Sequence, residues 1–296
     1  MKKCYQFGGS YRYDGIQPFC NMRPWPAPVT ANSHFLACAQ RDTASVIIYE
    51  YPFNERLRTY LRLEQLFRRL FELVPRESPV DHHFALATIF EIMEVAARAD
   101  LKSDLLRDLE RHKSMFEGLR HNPAIAQDML DSIIGQLDQC YTQLHAQNGK
   151  TGQPLTEIDW LMAIRSRIGI PGGTSSFDLP AYHRWQNKVA TQRQADLQHW
   201  TQCLRPLADS LYLLLSLLRE TGTPQKVAAT NGQFQQSLPA GKAYQLLRLR
   251  IHADAGLIPE ISANRLMVSV RLVRPNDNGS LQSTTENAAF ELTLCA

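Results

Sequence analysis

Through the first three quarters of the chain, apolar residues recur at helical spacing. Leu57, Tyr60, Leu61, Phe67, Leu70, Phe71 and Val74 share one side of a 3.6-residue repeat and predict the buried stripe of a helix starting at Asn54. Asn54 is a good N-cap, and Glu55 follows it at the positive end of the helix dipole. Three more amphipathic segments span about 80–98, 101–119 and 124–146, separated by Asp100 and by Asn122-Pro123. Gly149, Gly152 and Pro154 mark a loop before a helix over 155–167, and a long helix over about 189–221 ends at Gly222 with Pro224 behind it. After Pro224 the period changes. Residues 226–236, 244–252, 266–274 and 286–294 alternate or are β-rich, with breaks at Pro239-Ala240-Gly241, at Gly256 to Pro259 and at the hairpin signal Asn276-Asp277-Asn278-Gly279. The short strand Val46 to Tyr49, ahead of the first helix, can add to the same sheet. The pattern predicts an α+β protein: an all-helical domain over 43–223, then a small antiparallel β-sheet domain over 224–296.

Residues 1–42 follow neither period. They hold Gly8-Gly9-Ser10 and prolines at 18, 24, 26 and 28, and read as an irregular extension. Lys2, Lys3, Arg12, Arg23 and Arg41 against Asp14 and Asp42 account for the whole net charge of +3, which leaves the remaining body formally neutral. No global field then steers nucleic acid to this protein, and affinity for an acidic partner must come from local clusters of arginine. Lys2 and Lys3 precede no apolar run, and the longest one in the chain, Leu211 to Leu215, is far short of the ~20 residues a membrane span needs. The expectation is a cytoplasmic protein without membrane insertion. Cysteines at 4, 20, 38, 140, 203 and 295 form no C-x-x-C pair and read as reduced thiols, with a redox or metal role for the first three as the minor alternative.

Catalytic constellations are scarce. Gly172-Gly173-Thr174-Ser175-Ser176 lacks the lysine of a phosphate loop, Asp81-His82-His83 has no second ligand group at metal spacing, and no nucleophile elbow occurs. The sequence predicts neither an enzyme nor a cofactor.

Cations and punctuation gather instead between Arg165 and Trp185. Arg165 and Arg167 end a helix at Ile170-Pro171-Gly172-Gly173, where the two glycines allow positive φ or close backbone approach. Asp178 can cap a new short helix that takes Pro180 in its first turn and carries His183, Arg184 and Trp185. On the first helix Arg58 and Arg62 stand one turn apart and can offer two guanidinium forks to one carboxylate-bearing ligand, with Arg69 on the same face. The bland reading is a solvated face with pairs such as Glu55 with Arg58 and Glu64 with Arg68. His183 reads either as a ligand contact or as a hydrogen-bonding structural residue, and Trp185 as a core anchor.

The segment from Arg165 to Trp185 resembles the R-x-R-x-x-IPGG-x-x-SFDLP-x-x-H-x-W signature of the ZapD family, bacterial cell-division proteins that bind FtsZ and stabilise the Z-ring. Glu50 to Glu64 resembles the family's opening E-x-P-x-N-E-x-x-R-T-x-L-R-x-E, and Leu246-Leu247-Arg248-Leu249, Pro259-Glu260-Ile261-Ser262 and Phe290-Glu291-Leu292 match its C-terminal strands in order. The likeness covers about residues 45 to 296. It implies a homodimeric adaptor at the mid-cell division site whose basic groove binds the C-terminal tail of FtsZ and cross-links filaments. Carried onto this chain, the groove falls to Arg58, Arg62, Arg165, His183 and Arg248. Where the family has an arginine linked with partner binding, this chain has Asp159, one cation fewer. The alternative is a nucleic-acid-binding module that sets the same arginines on phosphates.

Overall fold

The computed structural model describes residues 46–97, 100–120, 122, 126–239 and 241–296. The extension over 1–42, with its three cysteines, lies outside them. A strand β1 (Val46–Pro52) leads into α1 (Glu55–Leu73), then α2 (Pro79–Ala96), α3 (Leu101–Glu117), α4 (Gln127–Ala146), α5 (Gln153–Thr156), α6 (Asp159–Ile168), α7 (Pro180–Gln186), α8 (Ala190–Thr201) and α9 (Arg205–Glu220). Strands β2 (Gln225–Ala229), β3 (Gln233–Ser237), β4 (Leu246–His252), β5 (Ile258–Ala263), β6 (Met267–Pro275), β7 (Leu281–Ser283) and β8 (Ala288–Cys295) follow. The fold is α+β, helices first and antiparallel strands after them.

The cap expected at Asn54 forms: its Oδ1 accepts the Leu57 N–H at 2.8 Å. Leu57, Tyr60, Leu63, Phe67 and Leu70 of α1 are buried, while Phe71, at the margin of the stripe, stacks on Phe67 and Tyr212. The apolar stripe of α9, from Leu207 to Leu218, packs against α1, α3 and α4 and forms the centre of the helical body. α2 packs against α1, α6 and α8.

The long helix expected over 189–221 is two helices. Pro206 sits in the first turn of α9, and a short 3₁₀ turn at Gln202–Leu204 separates it from α8. A proline within a continuous helix would leave a carbonyl unpaired and clash with the preceding turn, so the chain breaks there. The helix at 155–167 is likewise divided at Ile158, whose backbone is extended. Asp178 does not cap α7; its carboxylate accepts the Ser175 hydroxyl at 2.9 Å, and Leu179 holds the cap position without a side-chain bond.

One small sheet was expected and two are found. Strands order β1-β4-β8-β2 in the first and β3-β6-β5 in the second, with β7 pairing β6. The stretch 226–236 is not one strand, because Asn231 and Gly232 both adopt positive φ (50° and 72°) and the Thr230-to-Gln233 turn passes the chain from one sheet to the other. β5 occupies a segment that Pro259 seemed to interrupt; a sheet edge tolerates a proline because only one side of the strand must donate. Both sheets contribute to one apolar core, including Leu247, Leu249, Phe290 and Leu292 from the first and Val268, Val270 and Leu272 from the second. β1 pairs with β4 from Val46↔His252 to Pro52↔Leu246, so the strand that precedes α1 is part of a sheet otherwise built from the C-terminal strands.

Candidate functional site

Two observations locate the cations of α1. Arg69 donates to Thr88 Oγ1 at 2.8 Å and pairs with Glu91 at 2.6 Å, while Arg76 pairs with Asp81 at 3.5 Å. α1 and α2 therefore run antiparallel, and the half of α1 bearing Arg58 and Arg62 lies beside the C-terminal end of α2. Arg58 makes the intrahelical pair with Glu55 at 3.1 Å, half-exposed. Arg62 is exposed and has no ion pair among the described residues. Arg69, expected on the same ligand-binding face, is spent on α2.

The C-terminal end of α2 also borders a half-open pocket of about 240 Å³, lined by Met93, Ala97, Lys150, Gly152 and Arg165 among others. Gly152 has φ +80°, and a Cβ there would stand 2.9 Å from Met93 Cγ, so the loop closes on α2 only with glycine. Arg165, half-buried on α6, has no ion pair among the described residues. Lys150 is exposed. This end of α2 thus has Arg58 and Arg62 on α1, Lys150 on the loop before α5 and Arg165 on α6 around it.

His183 lies elsewhere. It is exposed on α7, which is fixed by its buried face: Tyr182 and Trp185 pack with Trp160 and Trp200, ring centroids 5.2–6.2 Å apart. Trp185 Nε1 donates to Asp196 at 2.8 Å, and the Tyr182 hydroxyl meets His83 Nδ1 at 2.8 Å. That second bond ties α7 to the N-terminal quarter of α2, away from Met93 and Ala97. Burial lowers the His83 pKa and raises that of Tyr182, so the two meet as a neutral imidazole and a neutral phenol. The turn before α7 uses its two glycines differently. Gly172 takes φ +70°, whereas a Cβ on Gly173 would lie 2.6 Å from the Arg167 carbonyl.

Arg248 belongs to a different environment. Its Nε donates to Glu50 Oε1 at 2.9 Å with its side chain only 13% exposed, and Glu50 is also gripped by Arg219. Arg219 reaches Glu64 as well, at 2.6 Å, so β4, β1, α9 and α1 meet in one buried ion network. Burial pushes the Glu50 carboxyl up, but Arg219 and Arg248 outweigh it and hold its pKa below the usual value. Arg219 is itself pushed up, as Glu64 and Glu50 overcome its desolvation. Glu50 stands in the opening motif, yet nothing in its spacing identified Arg219, which is 169 residues away.

A second buried cation also escaped the sequence. Arg193 is 4% exposed; its Nε donates to His82 Nδ1 at 2.9 Å, and its other nitrogens donate to the Glu77, Gln186 and Lys188 carbonyls. His82 Nε2 in turn lies 2.6 Å from the Arg76 carbonyl, which it meets as donor. The clamp joins the loop before α2 to the α7–α8 connection. Among the described residues no group of His, Cys, Asp and Glu side chains could hold a metal ion.

The described residues set exposed guanidinium forks on a helical body that is fastened to a two-sheet unit through buried ion pairs. The family model for the cell division protein ZapD matches residues 61–271. A cell division protein ZapD from Janthinobacterium sp. (strain Marseille) is 49% identical over 251 residues, which is 85% of this chain and all of that protein. One from Ralstonia pickettii (strain 12J) is 48% identical over 251 residues, 84% of this chain and 99% of that protein. The chain belongs to the ZapD family of cell division proteins.

Proposed function

We propose that this protein binds the C-terminal tail of FtsZ and, as a cytoplasmic homodimer at the mid-cell division site, cross-links FtsZ filaments without catalysing a reaction of its own. The observation that carries the reading is Arg62, an exposed arginine with no ion pair among the described residues, one turn from Arg58 and beside the end of α2 that Arg165 also borders. A guanidinium already balanced by a carboxylate must give up that partner to bind another, whereas Arg62 and Arg165 have none to give up among the described residues. Arg58 joins them by releasing an exposed Glu55, a pair worth little. His183 would meet a tail long enough to run the length of α2, and Arg248 would act by holding Glu50.

Residues 43–223 then form a tail-binding helical domain and residues 224–296 a β-domain, with 1–42 as an appendage. Two tail sites on one dimer hold two filaments, and each filament repeats its tails, so weak sites gain by avidity. Co-sedimentation with polymerised FtsZ tests the reading. Pelleting with FtsZ and loss of pelleting with tail-deleted FtsZ support it; equal pelleting with both overturns it. Salt-sensitive binding to DNA in place of FtsZ would favour phosphate recognition by the same arginines.

A further inference from the structure

Arg58, Arg62 and Arg165 lie at the C-terminal end of α2 and His183 lies toward its other end, and the face of α2 between them is open. Positions 80, 84, 87, 91 and 94 recur at helical spacing and form one stripe, exposed throughout except at the half-buried Ala87. α1 bounds the stripe on one side through Arg69, which reaches Thr88 and Glu91. α7 bounds the other side near the N-terminus of α2, where His83 Nδ1 hydrogen-bonds the Tyr182 hydroxyl at 2.8 Å. Along this stripe the chemistry changes in order. Val80 and Phe84, one turn apart, are 61% and 54% exposed, and the Phe84 ring stands edge-on to His83 with centroids 5.4 Å apart. An aromatic braced by a fixed neighbour offers apolar area with little freedom left to lose on binding. Glu91 is taken by Arg69, but Glu94 is exposed and has no ion pair among the described residues. Beyond it Ala97 lines the pocket with Lys150 and Arg165, and Arg62 stands beside the same end on the face of α1 that carries Arg69.

We infer that the exposed stripe of α2 is the floor of the tail site and reads a mixed peptide: an apolar residue on Val80 and Phe84, a basic residue at Glu94, and an acidic residue among Arg62, Arg165 and Lys150. Its occupant is the C-terminal tail of FtsZ, a step that rests on the proposed function and adds which of the tail's side chains are read. Charge complementarity selects a peptide of both signs. A nucleic-acid backbone carries negative charge alone, and the unpaired Glu94 in the middle of the line would repel it; a purely acidic peptide meets the same repulsion. The spacing of the ligand follows from the helix. From position 84 to position 94 α2 rises about 15 Å, which an extended peptide crosses in about four to five residues. Ala97 is less than one further turn along, so the acidic residue of the ligand follows the basic one by about one or two positions. The small side chain of Ala87, between the apolar end and the charged end, leaves room for a backbone to cross.

The test pans the full chain against a displayed library of random peptides, with a labelled FtsZ tail peptide titrated beside it. Enriched peptides should carry an acidic, a basic and an apolar residue in that order, in either chain direction, the last two about four to five positions apart. Phe84→Ala should weaken the tightest of them at least ~10-fold, the loss expected of an aromatic anchor, with circular dichroism unchanged. Glu94→Lys should weaken it ~3- to 10-fold, and should bind a version whose basic residue is replaced by glutamate more tightly than the parent protein does. If Phe84→Ala loses helicity, that charge exchange decides. Enrichment without the basic residue, without the apolar residue, or of no peptide at all overturns the inference, as does parent-like binding by Phe84→Ala and Glu94→Lys. A tail peptide bound equally by the parent and both variants keeps the FtsZ reading and removes this floor. A parent that enriches the pattern yet ignores the tail peptide keeps the floor and sinks the FtsZ reading instead.

Discussion

Arg219 on α9 grips Glu50 on β1 with two parallel bonds, Nε to Oε1 at 2.8 Å and Nη2 to Oε2 at 2.7 Å, while the same guanidinium reaches Glu64 on α1. The fork joins the helical body to the first sheet, and its side chain is only 11% exposed. Arg219→Ala should destabilise the protein by ~3–5 kcal/mol, because it takes a close counter-charge from two buried carboxylates at once and leaves Glu50 with Arg248 and Glu64 with Arg68 at 3.8 Å. Urea denaturation of parent and variant measures it. A loss under 1 kcal/mol would mean that water or Arg248 replaces the lost charge.

The same residue sets the acid response. The Glu50 pKa is lowered in the folded protein, so the stability it contributes is present above the unfolded value near 4.5 and is lost as pH falls through the depressed folded value. With Arg219 replaced by alanine, Arg248 is left to oppose burial without it, and the carboxyl rises from its depressed value. The variant should therefore recover part of its deficit as pH is lowered from 7 toward 5, narrowing the gap to the parent. Melting temperatures of both proteins across that range check the sign, and a gap that widens in acid would refute it.

Three histidines act in the opposite sense to the variant's recovery. His82, His83 and His112 have pKa values lowered chiefly by burial. The unfolded chain then takes up protons near pH 6.5 before the folded one does, and the parent should lose stability steadily as pH falls below about 6.5. His83→Gln, whose amide can still hydrogen-bond the Tyr182 hydroxyl, should flatten that slope. An unchanged slope in the variant would show that His83 does not titrate on unfolding.

Arg62→Ala should weaken tail-peptide binding by roughly ten- to a hundred-fold, from charge-assisted hydrogen bonds worth ~1.5–3 kcal/mol, while the melting temperature hardly moves. Arg62→Lys should recover part of the loss, since an ammonium cannot reproduce the fork. Arg248→Ala should behave differently and lower the melting temperature, because it removes a buried partner of Glu50. Equal melting temperatures for the two alanine variants would contradict the placement of Arg248 in the joint.

Removing residues 1–42 should leave helical content and tail affinity nearly unchanged, since the segment lacks any hydrophobic period and precedes the family match at 61–271. Peptide titration and circular dichroism of the truncated chain test this; loss of binding with intact helicity would assign the extension a role in recognition.

What the sequence by itself determined is what neighbours in the chain decide. The Asn54 cap, the change of period after Pro224, the use of Gly172 and Gly173 and the turn at 276–279 are set within a few residues, where backbone sterics and local hydrogen bonds dominate. The breaks at Pro206 and at Asn231-Gly232 carried the same kind of signal, and apolar continuity across them masked it. What only the tertiary structure decided is which arginines are free. Arg62, Arg193, Arg219 and Arg248 carry the same charge on unremarkable helix or strand positions, yet one meets water, one meets carbonyls and a histidine, and two meet Glu50. His82 reaches Arg193 from 111 residues away, and Glu50 reaches Arg219 and Arg248 from 169 and 198, so the choice between a ligand-binding and a structural arginine is made by packing that brings distant groups within 3 Å, and no local pattern encodes it.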